Sequence, residues 1–368
     1  MSPAEAALSF PAEARLHDDD RPSRTLDRHP RRRDHGRGLD EEARRARVRP
    51  LLAGRSGTRR RGHGFGALHR RGHRPRARRY RHRGQRGGRR CALHPSPPAR
   101  HPIRLTSTAG YGAGVIEVED DEGVRVIRLA HGKVNALDLE LTEALVDHFG
   151  QLGEASDVRA VVLTGSARGF SAGVDLRRIV DGGAAYVEQF LPTLADAFVS
   201  LFSLPMPVVA AVNGYAIAGG CILAAACDHR VLARGGRIGA SELQVGVPFP
   251  VAALEVLTHA CGRHTEEVVF GGALFSGDDA VRVGLAHEVV DDGVVLRRAL
   301  EVARSRAAMR SEVYRMAKRQ MRGPALGRIE QNQPLLDPAT VEVWASATTA
   351  AVIRSHLERV AARSEASA

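Results

Sequence analysis

Pro205-Met206-Pro207-Val208-Val209-Ala210-Ala211-Val212-Asn213-Gly214-Tyr215-Ala216-Ile217-Ala218-Gly219-Gly220-Cys221-Ile222 lies inside a run of 31 positions, 197–227, that carries no charge. A run of that length invites a reading as a membrane span, which needs about 20 apolar residues in one helix. Its punctuation excludes that reading. Pro205, Pro207, Asn213-Gly214 and Gly219-Gly220 divide it into a helix end, a short strand over 208–212, a turn and a new helix over about 219–227. Each piece is too short to cross a bilayer. A short apolar strand bounded by turns and followed by a helix is the pattern of a buried sheet in an α/β domain.

The pattern extends outward in both directions. Val115–Val118 and Val124–Leu129 alternate apolar and polar residues around Asp121-Glu122-Gly123, an antiparallel hairpin signal. Leu139, Leu141, Leu145, Val146, Phe149 and Leu152 then follow a helical period, with Asp138 placed to cap the helix. Further strands are expected at 158–163, 208–212 and 229–232, with helices at about 185–203 and 219–227 between them. That alternation indicates a parallel sheet with crossover helices. From about 250 onward the pattern is helical, at roughly 250–260, 264–271, 277–283, 294–322 and 338–364, with one short strand near 287–290.

The formal charge of +12 over 368 residues belongs to one end of the chain. Residues 1–100 hold 28 Arg, no Lys and ten acids, a formal +18, and the remaining 268 residues carry −6. The first hundred residues contain only 11 Leu, Ile, Val and Phe, too few to bury a core, so disorder is predicted over 1–112. A basic arm for nucleic acid is one reading of that segment. Its aromatics Phe10, Phe65 and Tyr80 are isolated, however, and the Arg, Gly, His, Pro and Ala bias is what GC-rich DNA gives in a frame not selected for protein. The favoured expectation is an over-extended gene start, with the true beginning near Ala113 to Val115. A core domain over 113–290 and a helical region over 291–368, serving oligomerisation and pocket closure, follow. No nucleic-acid binding is expected of the mildly acidic folded part.

Acids at Asp18-Asp19-Asp20 and Glu41-Glu42, and the lack of an apolar signal core, argue against a targeting peptide. Cys91, Cys221, Cys227 and Cys261 show no close pairing, and the three in the folded part, in apolar surroundings, read as buried reduced thiols of a cytoplasmic protein. The eight His of residues 101–368 form no HxH or HxxxH pair, so no metal site is expected.

Two glycine-rich turns remain, Gly169-Phe170-Ser171-Ala172-Gly173-Val174-Asp175-Leu176 and Asn213 through Cys221. Glycine permits close backbone approach to a ligand, and a helix starting at Gly219 directs free N–H groups and a positive dipole end outward. Two such turns at one cleft could hold a carbonyl oxygen between two amides. Neither is a phosphate loop or a dinucleotide fingerprint.

Together with Lys133-Val134-Asn135-Ala136-Leu137, Cys227-Asp228-His229-Arg230 and Gly239-Ala240-Ser241-Glu242-Leu243-Gln244-Val245-Gly246, these turns resemble the crotonase superfamily, the enoyl-CoA hydratase/isomerase family, over about residues 115–360. The resemblance implies an α/β spiral of ββα units with a helical C-terminal region, a homotrimer or hexamer, and acyl-CoA substrates with no separate cofactor. It further implies that the amides of Val174 and Gly219 form an oxyanion hole. Lys133, Asn135, Ala136 and Leu137, with Ala172, Gly173, Asp175 and Leu176, would line the CoA moiety. Arg177 falls where a basic residue meets CoA phosphates, and equally reads as a solvated Arg beside Arg178. Asp175 also reads as a cap for the next turn. Lys318 and Arg319 are candidates for a basic residue that a neighbouring subunit lends to the CoA site.

Hydratases of the family bring two glutamates to the cleft, and here the first of those positions is Ile222. An Ile can neither accept nor donate a proton, whereas one carboxylate suffices to move a double bond. The pattern with Glu242 alone is similar to Δ3,Δ2-enoyl-CoA isomerases, which implies double-bond isomerisation in fatty acid oxidation. Hydration, thioester hydrolysis and acyl-CoA binding without turnover remain alternatives.

Overall fold

The computed structural model describes residues 106–107, 114–166 and 169–366. Expectations for residues 1–105 and 108–113, Cys91 among them, lie outside the described residues.

Seven strands form the main sheet: β1 (Thr106–Ser107), β2 (Ile116–Asp121), β3 (Val124–Leu129), β4 (Ala160–Gly165), β5 (Val208–Val212), β7 (His229–Ala233) and β9 (Glu288–Val290), adjacent in that order. The pairs β1–β2 and β2–β3 are antiparallel, and every later pair is parallel. Between β5 and β7 the chain makes β6 (Tyr215–Ile217), which pairs with β8 (Arg237–Gly239) in a second, two-stranded parallel sheet. The fold is thus the expected mixed α/β structure, in which the pairs β2–β3 and β5–β6 each precede a helix, while β4 precedes its helix alone. The β1–β2 pairing carries the sheet back to residue 106, N-terminal of the boundary placed at 113.

Strand residues show why the central runs are continuously apolar. Ala160 and Val162 of β4 and Val209 and Ala211 of β5 pack under α7 (Val295–Ala307), while Val161, Leu163, Val208, Ala210 and Val212 enter the main core on the other face. A strand buried on both faces has no polar side to show. Four helices cover the main core: α1 (Leu139–Glu154), α2 (Leu176–Ser203), α3 (Gly219–Ala226) and α4 (Val251–Cys261). Asp138 caps α1 by accepting the Leu141 N–H at 3.0 Å. The short helices α5 (Thr265–Gly271) and α6 (Gly277–Arg282) follow, and α7 leads into α8 (Ser311–Ala345) and α9 (Ala347–Ala366).

Several boundaries differ from the sequence reading, each for a local reason. Strand β4 starts two residues later than 158, where Ala160 pairs with Val124, a shift that preserves which side chains face which layer. Helix α2 starts at Leu176 rather than about 185. It bends at Gly183, whose φ of 60° and ψ of −153° only glycine adopts readily. The helix expected over 294–322 ends at Ala307, where the Arg159 guanidinium donates to the Ala307 and Met309 carbonyls and takes up the exposed helix end. The helix expected from 338 begins at Ala347. Its cap is Ser346, whose Oγ accepts the Thr349 N–H at 3.1 Å. Helix α8 runs through Pro324, Pro334 and Pro338. Each proline removes a helical donor, and side-chain anchors hold the helix regardless. Asp337 accepts the Val251 N–H at 2.9 Å, Arg328 pairs with Glu255 at 2.7 Å, and Lys318 and Arg322 both reach Asp228 at 2.7 Å.

None of the described helices is long and apolar enough to cross a membrane.

Candidate active site

A cleft of about 490 Å³ opens between three walls. One wall is the loop from Lys133 to Ala136 with the turn from Ala172 to Arg177. The second is Ile217-Ala218 with the segment from Ser241 to Val247. The third is Trp344 at the end of α8 and a face of α9 formed by His356, Leu357, Val360 and Ala361.

The first wall is built around the buried Asn135. Its φ of 49° turns the loop, its Nδ2 donates to the carbonyls of Gly169 (3.3 Å) and Phe170 (3.1 Å), and its Oδ1 accepts the His131 N–H at 2.9 Å. The Ser171 hydroxyl donates to the Asn135 carbonyl at 2.7 Å and accepts the Gly173 N–H at 3.1 Å. These bonds fix the two loops in register, and a short parallel bridge forms between Leu137 and Val174. In that bridge Leu137 N–H donates to Gly173 O and Asp175 N–H donates to Leu137 O. The alternation of a strand therefore directs the Val174 N–H away from Leu137.

The second wall supplies a neighbouring amide. Ala218 precedes α3 with φ 50° and ψ −122°, a strained setting for a residue with a Cβ, held by its N–H bond to Gly239 O at 2.8 Å. Gly219 opens α3, and the first intrahelical bond runs from Ile222 N–H to Ala218 O, so the Gly219 N–H has no partner within the helix. A Cβ added at Gly173, where φ is +86°, would meet Ile217 O at 2.6 Å and come within 3.3 Å of Gly219 N. The backbone of the Val174 turn thus lies directly against the N-terminus of α3. Neither the Val174 nor the Gly219 N–H has a protein acceptor among the described residues.

Glu242 begins a single 3₁₀ turn, Glu242–Val245, closed by Gly246 in the left-handed region. Its side chain is 5% exposed, and its Oε2 has no hydrogen-bond partner among the described residues. Burial pushes its carboxyl up to about 8. The other acid on the cleft walls is Asp175, and its carboxylate is engaged: Oδ1 accepts the N–H groups of Arg177 (3.0 Å) and Arg178 (3.2 Å) and caps α2. Ile222 is 2% exposed and belongs to the main core rather than the cleft wall. Lys133 and Arg177 stand exposed on the walls, so both charges remain in solvent. The cleft therefore offers one desolvated carboxylate, a helix N-terminus beside a second free amide, and two solvated cations.

Residues 119–346 match the family profile "Enoyl-CoA hydratase/isomerase". The chain belongs to the enoyl-CoA hydratase/isomerase family. It is 31% identical to mouse "Enoyl-CoA delta isomerase 1, mitochondrial" over 212 residues, 56% of this chain and 73% of the relative. It is 30% identical to "Probable enoyl-CoA hydratase echA8" of Mycobacterium bovis over 205 residues, 55% of this chain and 79% of that one. The crystal structure of human mitochondrial delta3-delta2-enoyl-CoA isomerase superposes with a TM-score of 0.64 at 28% identity, covering 67% of this chain and 97% of that one. The chain is accordingly an enzyme of this family with the crotonase fold.

Within this hydratase/isomerase, the sequence-predicted residues fall into two groups. Lys133, Ala136, Ala172, Val174, Asp175, Leu176, Arg177 and Glu242 form the cleft walls. Asn135, Leu137, Gly173 and Gly219 stand behind them and hold the loops in place. Lys318 is buried, donating to Asp228 and to Met206 O at 2.8 Å, so it is a structural anchor of its own chain rather than a CoA ligand. Arg319 is exposed on α8. The α9 face and Trp344 fall within the helix expected over 338–364, in the region assigned to pocket closure, but were not named there as site residues. The spacing of His356, Leu357, Val360 and Ala361 carried the signal. His131, Asp138 and Glu140 bring ligand atoms within 4.8 Å of one another, yet Asp138 already accepts from Leu141 N–H through Oδ1 and contacts His131 Nε2 through Oδ2 at 2.8 Å.

Proposed function

We propose that this enzyme shifts the double bond of a 3-enoyl-CoA to the 2-position, with Glu242 as the single proton-transfer group. The observation that carries the reading is the Glu242 carboxyl, buried and with its Oε2 unpartnered among the described residues, in a cleft whose other wall carboxylate is spent on capping a helix. The carboxylate form of Glu242 takes a C2 proton. The electron pair delocalises onto the thioester oxygen, which the N–H groups of Val174 and Gly219 receive, each such donor being worth about 3 kcal/mol of barrier. The enolate then collapses to the conjugated 2-enoyl thioester as the protonated Glu242 returns the proton at C4. No net proton or electron is gained or lost. Lys133 and Arg177 supply the positive charge for the CoA phosphates, and the CoA moiety lies along the first wall.

The same reading places the enzyme in the oxidation of unsaturated fatty acyl chains, with coenzyme A entering as part of the substrate. Three buried free thiols among the described residues support a reducing compartment, read as the cytoplasm. Exposed Val313, Met316, Met321, Leu335 and Leu336 on α8 support assembly into a trimer or hexamer.

The test is a paired assay offering a 3-enoyl-CoA and a 2-enoyl-CoA to the wild-type chain and to Glu242→Gln. Isomerisation exceeding hydration, and falling at least about a thousandfold in the variant, is the expected result. Hydration as the faster reaction would overturn it and favour the chemistry named for the mycobacterial relative.

A further inference from the structure

Helix α9 lays an apolar face over the cleft, yet it contributes one polar group there, His356, between Leu357, Val360 and Ala361. The placement follows from packing. A Cβ at Gly246, which closes the Glu242 turn, would touch Val352 Cγ1 at 3.0 Å, so α9 seats against that turn. His356 lies one helical turn further along the same face, about 5.4 Å on. Its ring is half-buried and makes no hydrogen bond with the protein among the described residues. The neighbouring polar group on this wall, the Trp344 indole N–H, is committed to Pro248 O at 2.8 Å. A half-buried imidazole with no protein partner leaves its ring nitrogens open to a polar group of a ligand.

Resting on the reading of this cleft as an acyl-CoA site, we propose that His356 is a specificity-determining residue. It hydrogen-bonds an oxygen substituent, a hydroxyl or keto group, carried on the acyl chain beyond the reacting carbons, so that oxygenated acyl-CoA thioesters are preferred over plain hydrocarbon ones. Burial first, and then Arg359 and Arg363 on the same helix, hold the imidazole below its usual range and thus neutral. A neutral imidazole has one donor and one acceptor nitrogen, the complement of a hydroxyl. A site built to bond a substrate oxygen discriminates against the analogue lacking it more strongly than an apolar wall distinguishes two hydrocarbons.

Trp344 is the only tryptophan of the chain and lines the cleft, so its fluorescence reports binding without turnover, with calorimetry as the second readout. The full chain, His356→Leu and His356→Gln are titrated with decanoyl-CoA and with hydroxydecanoyl-CoAs carrying the hydroxyl at successive carbons from C5 to C10. At least one hydroxylated chain is expected to bind wild type about five- to tenfold more tightly than decanoyl-CoA. The preference disappears in His356→Leu, which binds decanoyl-CoA at least as well as wild type, and is partly kept in His356→Gln. Tight decanoyl-CoA binding with no preference for any hydroxylated chain, or a preference that survives His356→Leu, overturns the proposal and leaves the acyl-CoA reading standing. No binding of any acyl-CoA overturns both.

Discussion

At the scale of single residues, the Glu242 carboxyl is the group whose environment sets the enzyme's working conditions. With its pKa near 8, most of it is protonated at neutral pH and unable to take a proton. The kcat/KM for isomerisation, which reports the free enzyme, is therefore expected to rise with pH to a plateau above about 8, as a rate profile from pH 6 to 9.5 would show. A flat profile across that range would remove Glu242 as the base. The same shift bears on stability. The folded-state value lies above the unfolded value of 4.5, so between the two the native state binds more protons and loses stability as pH rises. Glu242→Gln removes this penalty. Its stability relative to wild type, from urea midpoints, is expected to grow between pH 5 and pH 8 by up to about 4 kcal/mol. Much of this was legible in the sequence: Ile222 at one acid position and Glu242 in an apolar context already pointed to a single desolvated carboxylate. The details of that context were not. Leu243, one of the apolar neighbours, is 42% exposed on the 3₁₀ turn, whereas Val247, just beyond its Gly246 cap, is buried.

Among the elements, α8 depends on a charge cluster that spacing in the sequence did not reveal, since its members are some 90 residues apart. Asp228, immediately before β7, accepts Lys318 and Arg322 from α8 at 2.7 Å each and the Val208 N–H of β5 at 2.8 Å. Arg322 also donates to the Phe202 carbonyl and lies 4.2 Å over the Phe202 ring. Burial alone would raise the Asp228 carboxyl, but the two cations and the Val208 N–H hold it below the usual carboxylate range. Asp228→Asn leaves two buried cations without their counter-charge and is expected to cost about 3–5 kcal/mol, read from urea denaturation. Replacing all three by apolar residues of similar size should cost less than this single change, because it removes the stranded charges as well. In wild type the contribution is present above the ordinary carboxylate pKa of about 4 and is lost as pH falls through the lower native value. Elements with a strong local period, such as α1 with its Asp138 cap, could be read directly from the chain. The three-residue strands β6 and β8 could not, since each is too short to show alternation and their pairing joins residues 22 positions apart. Helix α8 was hidden by its three prolines, which stop a helix in isolation and are outweighed here by Asp228, Glu255 and Asp337.

For the whole molecule, charge and chemistry lie in different parts of the chain. The +18 of residues 1–100 contrasts with −6 over the remainder, and every residue of the candidate site lies between Lys133 and Ala361. A polyanion should therefore interact with the first part through counterion release, with an affinity that falls steeply as salt rises. Lys133 and Arg177 on the cleft walls supply the cleft's own positive charge, so loss of that segment is expected to leave its chemistry unchanged. A chain beginning at Arg104 keeps the β1–β2 pairing and removes the excess of arginine. It is expected to isomerise a 3-enoyl-CoA with the kcat and KM of the full chain, while its retention on a heparin column in 0.15 M salt disappears. Unchanged kinetics with retention lost would show that the basic segment and the cleft act independently. A fall in kcat with thermal unfolding unchanged would show instead that residues before Arg104 contribute to the catalytic cleft, and the +18 segment would then belong to the enzyme's mechanism.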